Sequence, residues 1–149
     1  MSMMFYKMFI ISFLLVIGAL NSMAQDSTAI KHIDSLAAMT KKLWYKDTDS
    51  SKVLAALVIK LSEEHHYQNG IAQGNSLMGV VNDIYGDYAL SLEYYKKAKD
   101  IYIQLGDEYG IANIQYNMGL IFQNDKQYEK ALEYVQLATD YYNEHDLKS

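Results

Sequence analysis

The 149-residue chain has no cysteine and no proline, and all 13 of its basic residues are lysine, so arginine is missing too. Without cysteine there are no disulfides, thiolate metal sites or thiol nucleophiles, and no lipid attachment through an N-terminal cysteine. Without arginine there is no planar guanidinium fork for gripping phosphate or carboxylate in two places. The 18 acidic residues outweigh the lysines and leave a net charge of -5, the wrong sign for a nucleic-acid-binding surface. The absence of proline, beside abundant Ala, Leu, Lys, Glu, Gln, Met and Tyr, tolerates helix almost everywhere. Half of the residues are hydrophobic, which is enough to bury a core and argues against disorder.

The first 24 residues are set apart by their charge pattern. Met1 to Ala24 contains one basic residue, Lys7, no acidic residue, and an uncharged run from Met8 to Leu20. A bilayer span needs ~20 consecutive apolar residues, so this run is short for a membrane anchor and fits the core of a secretory signal. Ser22-Met23-Ala24 supplies small residues where a signal peptidase reads them, and cleavage is expected after Ala24. The mature chain would then be periplasmic or secreted, with 12 lysines against 18 acidic residues and a net charge of -6.

The remainder repeats itself at a spacing of forty residues. Gly70-Ile71-Ala72 matches Gly110-Ile111-Ala112, Met78-Gly79 matches Met118-Gly119, and Tyr88 matches Tyr128. Leu92-Glu93-Tyr94 matches Leu132-Glu133-Tyr134, and Ala98, Asp100 and Tyr102 match Ala138, Asp140 and Tyr142. Twelve identities in forty ungapped positions stand against about three from composition alone. A fixed period of this length signals stacked supersecondary units.

Each unit reads as two helices. Ile71, Met78, Val81 and Ile84, then Leu92, Tyr95, Ala98 and Tyr102, recur mostly at three- and four-residue steps, with Gly86-Asp87 as the turn. In the next unit Ile111, Ile114, Met118 and Ile121 precede Leu132, Val135, Ala138 and Tyr142, with a turn at Asp125-Lys126-Gln127. Gly79 and Gly119 fall inside helices, where glycine is about 1 kcal/mol worse than alanine, so two helices are expected to approach closely there. An earlier, degenerate hairpin is expected over residues 25–70. Its first helix runs from about Ala29 to Trp44, its turn is Asp47-Thr48-Asp49-Ser50, and its second helix runs from Lys52 to about His65. Trp44, the sole tryptophan, is read as capping the end of the stacked core.

Met118-Gly119-x2-Phe122 with Ala131-x3-Val135, and Met78-Gly79-x2-Asn82 with Ser91-x3-Tyr95, resemble the tetratricopeptide repeat pattern W-x2-L-G-x2-Y followed by A-x3-F. Departures are Asn82 for the aromatic residue, Ser91 for the alanine, Asn75 and Gln115 at the tryptophan position, and no closing proline. The spacing of forty is similar to the longer-helix variety of the family. The resemblance implies an all-α, right-handed solenoid of about three antiparallel helical hairpins, with units at 25–70, 71–110 and 111–149 behind the signal peptide. It also implies an interaction module for a protein or peptide, or alternatively the N-terminal sensory segment of a membrane sensor histidine kinase or transcriptional regulator. A membrane would then be met only through the signal or a larger parent protein. The last helix would leave an apolar stripe open to self-association.

In this family the first helix of each hairpin lines the binding face. That face would carry Gln73, Ser76, Val80 and Asp83 from one unit and Asn113, Tyr116, Asn117, Leu120 and Gln123 from the next. No lysine is among them, so the basic clamp that relatives use on acidic chain ends is missing, and a neutral or mildly basic ligand is expected.

Signs of chemistry are weak. Asp47-x-Asp49-x-Ser51 resembles the start of a calcium loop, but Lys52 and Val58 stand where glycine and glutamate are needed, so a helix cap through Ser50 or Asp49 is the better reading. His65 and His66 point about 100° apart on a helix and lack HExxH spacing. No nucleophile elbow, phosphate loop or dinucleotide fingerprint is present, so neither enzyme activity nor a metal or other cofactor is expected.

Overall fold

The structure is a computed structural model that describes residues 26–145. The expected signal sequence and its cleavage point at Ala24 lie outside the described residues, as does Asp146. The described residues form helices and turns with no strand: α1 spans residues 26–43, α2 Thr48–Glu64, α3 Gln68–Ile84, α4 Tyr88–Leu105, α5 Glu108–Asn124 and α6 Tyr128–Glu144. Among the described residues no helix is long and apolar enough to cross a membrane.

Successive helices pack as antiparallel neighbours because every turn is short and most are built alike. After α2 the N–H of Tyr67 donates to the Ser62 carbonyl and that of His66 to Glu63. The same pair of bonds follows α3 (Asp87 to Asn82, Gly86 to Asp83), α4 (Asp107 to Tyr102, Gly106 to Ile103) and α5 (Gln127 to Phe122, Lys126 to Gln123). This arrangement places one residue in the left-handed region and satisfies carbonyls that the helix leaves unpaired. The left-handed residues are His66, Gly86, Gly106 and Lys126, so they recur every twenty residues, half the sequence period. Aspartates open three helices: Asp47, Asp87 and Asp107 accept backbone N–H bonds from Ser50 (3.0 Å), Leu90 (3.1 Å) and Gly110 (2.8 Å).

The first turn differs from the sequence expectation. The chain turns over residues 44–46, and Thr48, Asp49 and Ser50 already belong to α2. The capping residue is Asp47, whose backbone is extended (φ -150°), and Ser50 gives it both its N–H and its hydroxyl rather than acting as the cap. These bonds hold the Asp47 carboxyl below the usual carboxylate range. Among the described residues no three acidic or histidine side chains converge as a metal site would require.

The core runs along the stack in two clusters. Ile33 and Ala37 of α1, Ala55 and Val58 of α2, and Leu77 and Met78 of α3 make the first. The second joins Ala72 of α3, Tyr95, Ala98 and Tyr102 of α4, and Ile114, Met118 and Ile121 of α5. Both intrahelical glycines sit where helices touch. A Cβ on Gly79 would lie 2.5 Å from Cε1 of Tyr95, and one on Gly119 would lie 2.7 Å from Cγ2 of Val135.

Three departures from the family pattern are each satisfied locally. The buried Ser91 hydroxyl donates to the Gly79 carbonyl (2.7 Å), and the amides of Asn75 and Asn82 donate to the carbonyls of Ile71 (2.8 Å) and Met78 (2.7 Å). Polar side chains at these core positions are tolerable because none is left unpaired.

Candidate functional site

A groove of about 550 Å³ opens between α1, α3 and α5, with α4 contributing to its lining. From α3 come Gln73, Ser76, Val80 and Asp83, and from α5 come Asn113, Asn117 and Leu120. These are seven of the nine residues expected from sequence to share a face. Tyr116 and Gln123 are not brought in and stand exposed. The reason is their flank of the helix. Leu77 and Ile114 turn toward the preceding helices and pack into the core there. Ser76 and Asp83, and their forty-residue equivalents Tyr116 and Gln123, stand roughly 100° or more around the helix from those core positions. On α3 that flank meets α5, whereas among the described residues no helix follows on that side of α5.

The structure adds residues that the repeat pattern did not mark. Lys41, Trp44 and Tyr45 reach the groove from the end of α1, and Tyr95 and Tyr102 reach it from α4. Trp44 is half-buried and packs against the first core cluster while also lining the groove, so it does more than close the end of the stack. Its ring meets that of Tyr45 edge to face, with centroids 5.9 Å apart. Lys41 supplies the groove with one cation, against Asp83 and Asp107.

Tyr95 is only 2 % exposed and Tyr102 only 7 %, yet neither hydroxyl makes a hydrogen bond to another described residue. Burial pushes the Tyr95 hydroxyl far above its ordinary pKa, with Asp83 adding to the shift. Burial likewise raises Tyr102 to about 12, with a contribution from Asp107. Both phenols therefore stay protonated at neutral pH and remain hydrogen-bond donors. Burial also raises the Asp83 carboxyl above the usual range. Asn113 is oriented from behind, its Oδ1 accepting from the Tyr142 hydroxyl at 2.8 Å, which leaves its amide hydrogens for another partner.

Two donors on α4 separated by seven residues are about 10 Å apart along the helix axis, the length of three residues of extended peptide. With the amides of Gln73, Asn113 and Asn117 opposite and Val80 and Leu120 between, the groove can hold an extended backbone by hydrogen bonds and an apolar side chain by contact. It contains no nucleophile paired with a base.

A family model described as Tetratricopeptide repeat matches residues 71–144. No curated protein and no solved structure matches the chain.

Proposed function

The chain belongs to the tetratricopeptide repeat family through residues 71–144, and on that premise we propose that it is an exported interaction module whose α1–α3–α5 groove takes a neutral or mildly basic peptide. The observation that carries this reading is the pair of tyrosines, Tyr95 and Tyr102, whose rings are buried and whose unpartnered hydroxyls open into a groove lined by side-chain amides. Hydroxyls fixed at a groove wall and open to it can each exchange water for a peptide carbonyl, a bond worth about 0.5–1.5 kcal/mol net. The groove carboxylates outnumber Lys41, so an acidic chain end is opposed. The work is recognition, with no catalytic step. Export rests on the order of Lys7, the apolar run and Ser22-Met23-Ala24. The exposed α6 surface favours self-association, since Leu132 is 68 % exposed while its equivalent Leu92 is packed against the second core cluster.

A peptide library screened against residues 25–149 tests the groove. Hits should lose about fivefold in affinity with Asn117→Ala, the loss of one hydrogen bond, and be indifferent to Tyr116→Ala. Enrichment of acidic C-terminal peptides, or hits indifferent to Asn117→Ala, would overturn the assignment.

A further inference from the structure

Asp83 is the one groove carboxylate with no structural duty. Asp107 caps α5 through the Gly110 N–H, whereas the Asp83 carboxylate makes no hydrogen bond or ion pair with any described residue. Its carboxylate is partly withdrawn from water on α3, and no countercharge comes with it: Lys41 lines the same groove but forms no ion pair with it. The Tyr95 ring seats against Gly79, about one helical turn before Asp83 on α3, and Tyr45, Asp83 and Tyr95 line the same groove. The Tyr95 ring is buried, and its hydroxyl, open to the groove, has no hydrogen-bond partner among the described residues. An unpaired carboxylate and an unpaired phenol at one place in a groove are the complement of a group that carries positive charge and several N–H donors.

We propose that Asp83, Tyr95 and Tyr45, beside the Trp44 ring, form a subsite for the ammonium or guanidinium of a lysine or arginine side chain within the bound peptide. Asp83 supplies the countercharge. The phenolic oxygens of Tyr95 and Tyr45 accept N–H bonds that a single carboxylate leaves over, and the Trp44 ring offers its electron-rich face to the cation. Lys41, exposed at the groove edge, keeps the surplus of negative charge to one and so limits the subsite to one cation. This proposal rests on the groove reading above and specifies which residue of the peptide the groove selects.

The test is an NMR titration of the isotope-labelled full chain with three acetylated, amidated pentapeptides: Ala-Ala-Lys-Ala-Ala and its arginine and norleucine counterparts. Norleucine keeps the aliphatic stem and removes the charge. The side-chain amides of Asn113 and Asn117 report occupancy of the groove independently of the subsite. The lysine and arginine peptides should bind at least tenfold more tightly than the norleucine peptide, as expected for a charge-assisted hydrogen bond. Asp83→Asn should erase that preference, read as the ratio of lysine to norleucine affinity within the same variant, Tyr95→Phe should reduce it, and Lys41→Met should enlarge it. Thermal melts of each variant check that the fold is kept. Equal affinity for all three peptides, with the Asn113 and Asn117 amides shifting, overturns the subsite and leaves the groove standing. A preference that survives Asp83→Asn overturns it as well. Amides that shift with none of the peptides overturn the groove and the subsite together.

Discussion

Replacing Gly79 with alanine sets two effects against each other, and the structure decides between them. In an exposed helix interior the change would stabilise by about 1 kcal/mol, because glycine is the poorer helix former. Here the added Cβ would meet three carbons of the Tyr95 ring, Cε1 at 2.5 Å, Cδ1 at 2.6 Å and Cζ at 2.9 Å. Real carbon contacts do not come so close, so either the ring or the α3–α4 spacing must move. The ring cannot swing out freely, being 98 % buried among Ala98, Ile114 and Met118. Widening the helix pair would also stretch the 2.7 Å bond from Ser91 to the Gly79 carbonyl. Overpacking of this kind costs roughly 1–3 kcal/mol, and the upper half of that range applies because both escapes are blocked. Net destabilisation of about 0.5–2 kcal/mol follows, a fall in Tm of roughly 2–8 °C for a domain of this size. Urea unfolding followed by circular dichroism measures it. The reasoning also requires coupling: in a Tyr95→Ala background the same Gly79→Ala change should become neutral or stabilising. An unchanged or raised Tm in the wild-type background, or additive effects in the double variant, would refute it.

His66 and Lys126 hold left-handed backbones (φ 52° and 61°) at positions equivalent to Gly86 and Gly106, so His66→Gly and Lys126→Gly should each raise stability by up to about 1 kcal/mol, read as Tm. The Ser62 hydroxyl is buried with no hydrogen-bond partner among the described residues, so Ser62→Ala should be neutral or stabilising by about 1 kcal/mol in denaturant unfolding; a loss of more than that contradicts the placement. Sedimentation of residues 25–149 should show self-association that Leu132→Glu shifts toward monomer, while a clean monomer at high concentration removes the α6 surface from consideration. N-terminal sequencing of exported protein should begin at Gln25, and recovery of intact Met1 in a membrane fraction would favour an anchor instead.

The repeat was legible in part because some of the residues that repeat have no substitute. Gly79 and Gly119 mark helix crossings where a Cβ does not fit, and Ala98 and Ala138 are both fully buried. The turns were half legible. Gly86 and Gly106 announce a left-handed residue, but His66 and Lys126 adopt the same backbone without advertising it. The run Asp47-Thr48-Asp49-Ser50 was harder still, since all four residue types serve equally in a turn, a cap or a first helical turn. Only the extended backbone of Asp47 separates the three roles. Within the groove, the first-helix residues followed from the resemblance to the family, whereas Tyr95 and Tyr102 sit on a second-helix stripe that reads as core. They are core by burial and groove by the reach of their hydroxyls, a division within one side chain that periodicity does not carry.

That double role ties the fold to the binding site and makes the two units unequal. Gly79 exists to receive the Tyr95 ring, and the seated ring is what brings the phenol into the groove beside Asp83. In the next unit the glycine is kept as Gly119, but Val135 replaces the ring and Gln123 stands where Asp83 would be. The helix crossing is therefore preserved in both units, while the phenol and the carboxylate are present in one alone. A repeat protein whose units bound alike would offer a cation two equivalent places forty residues apart. On the proposed reading this one offers a single place, which would give its groove a direction: a bound peptide would put its positive side chain against Tyr95 and Asp83. Its apolar and uncharged residues would then be left to Asn117 and Leu120 of α5.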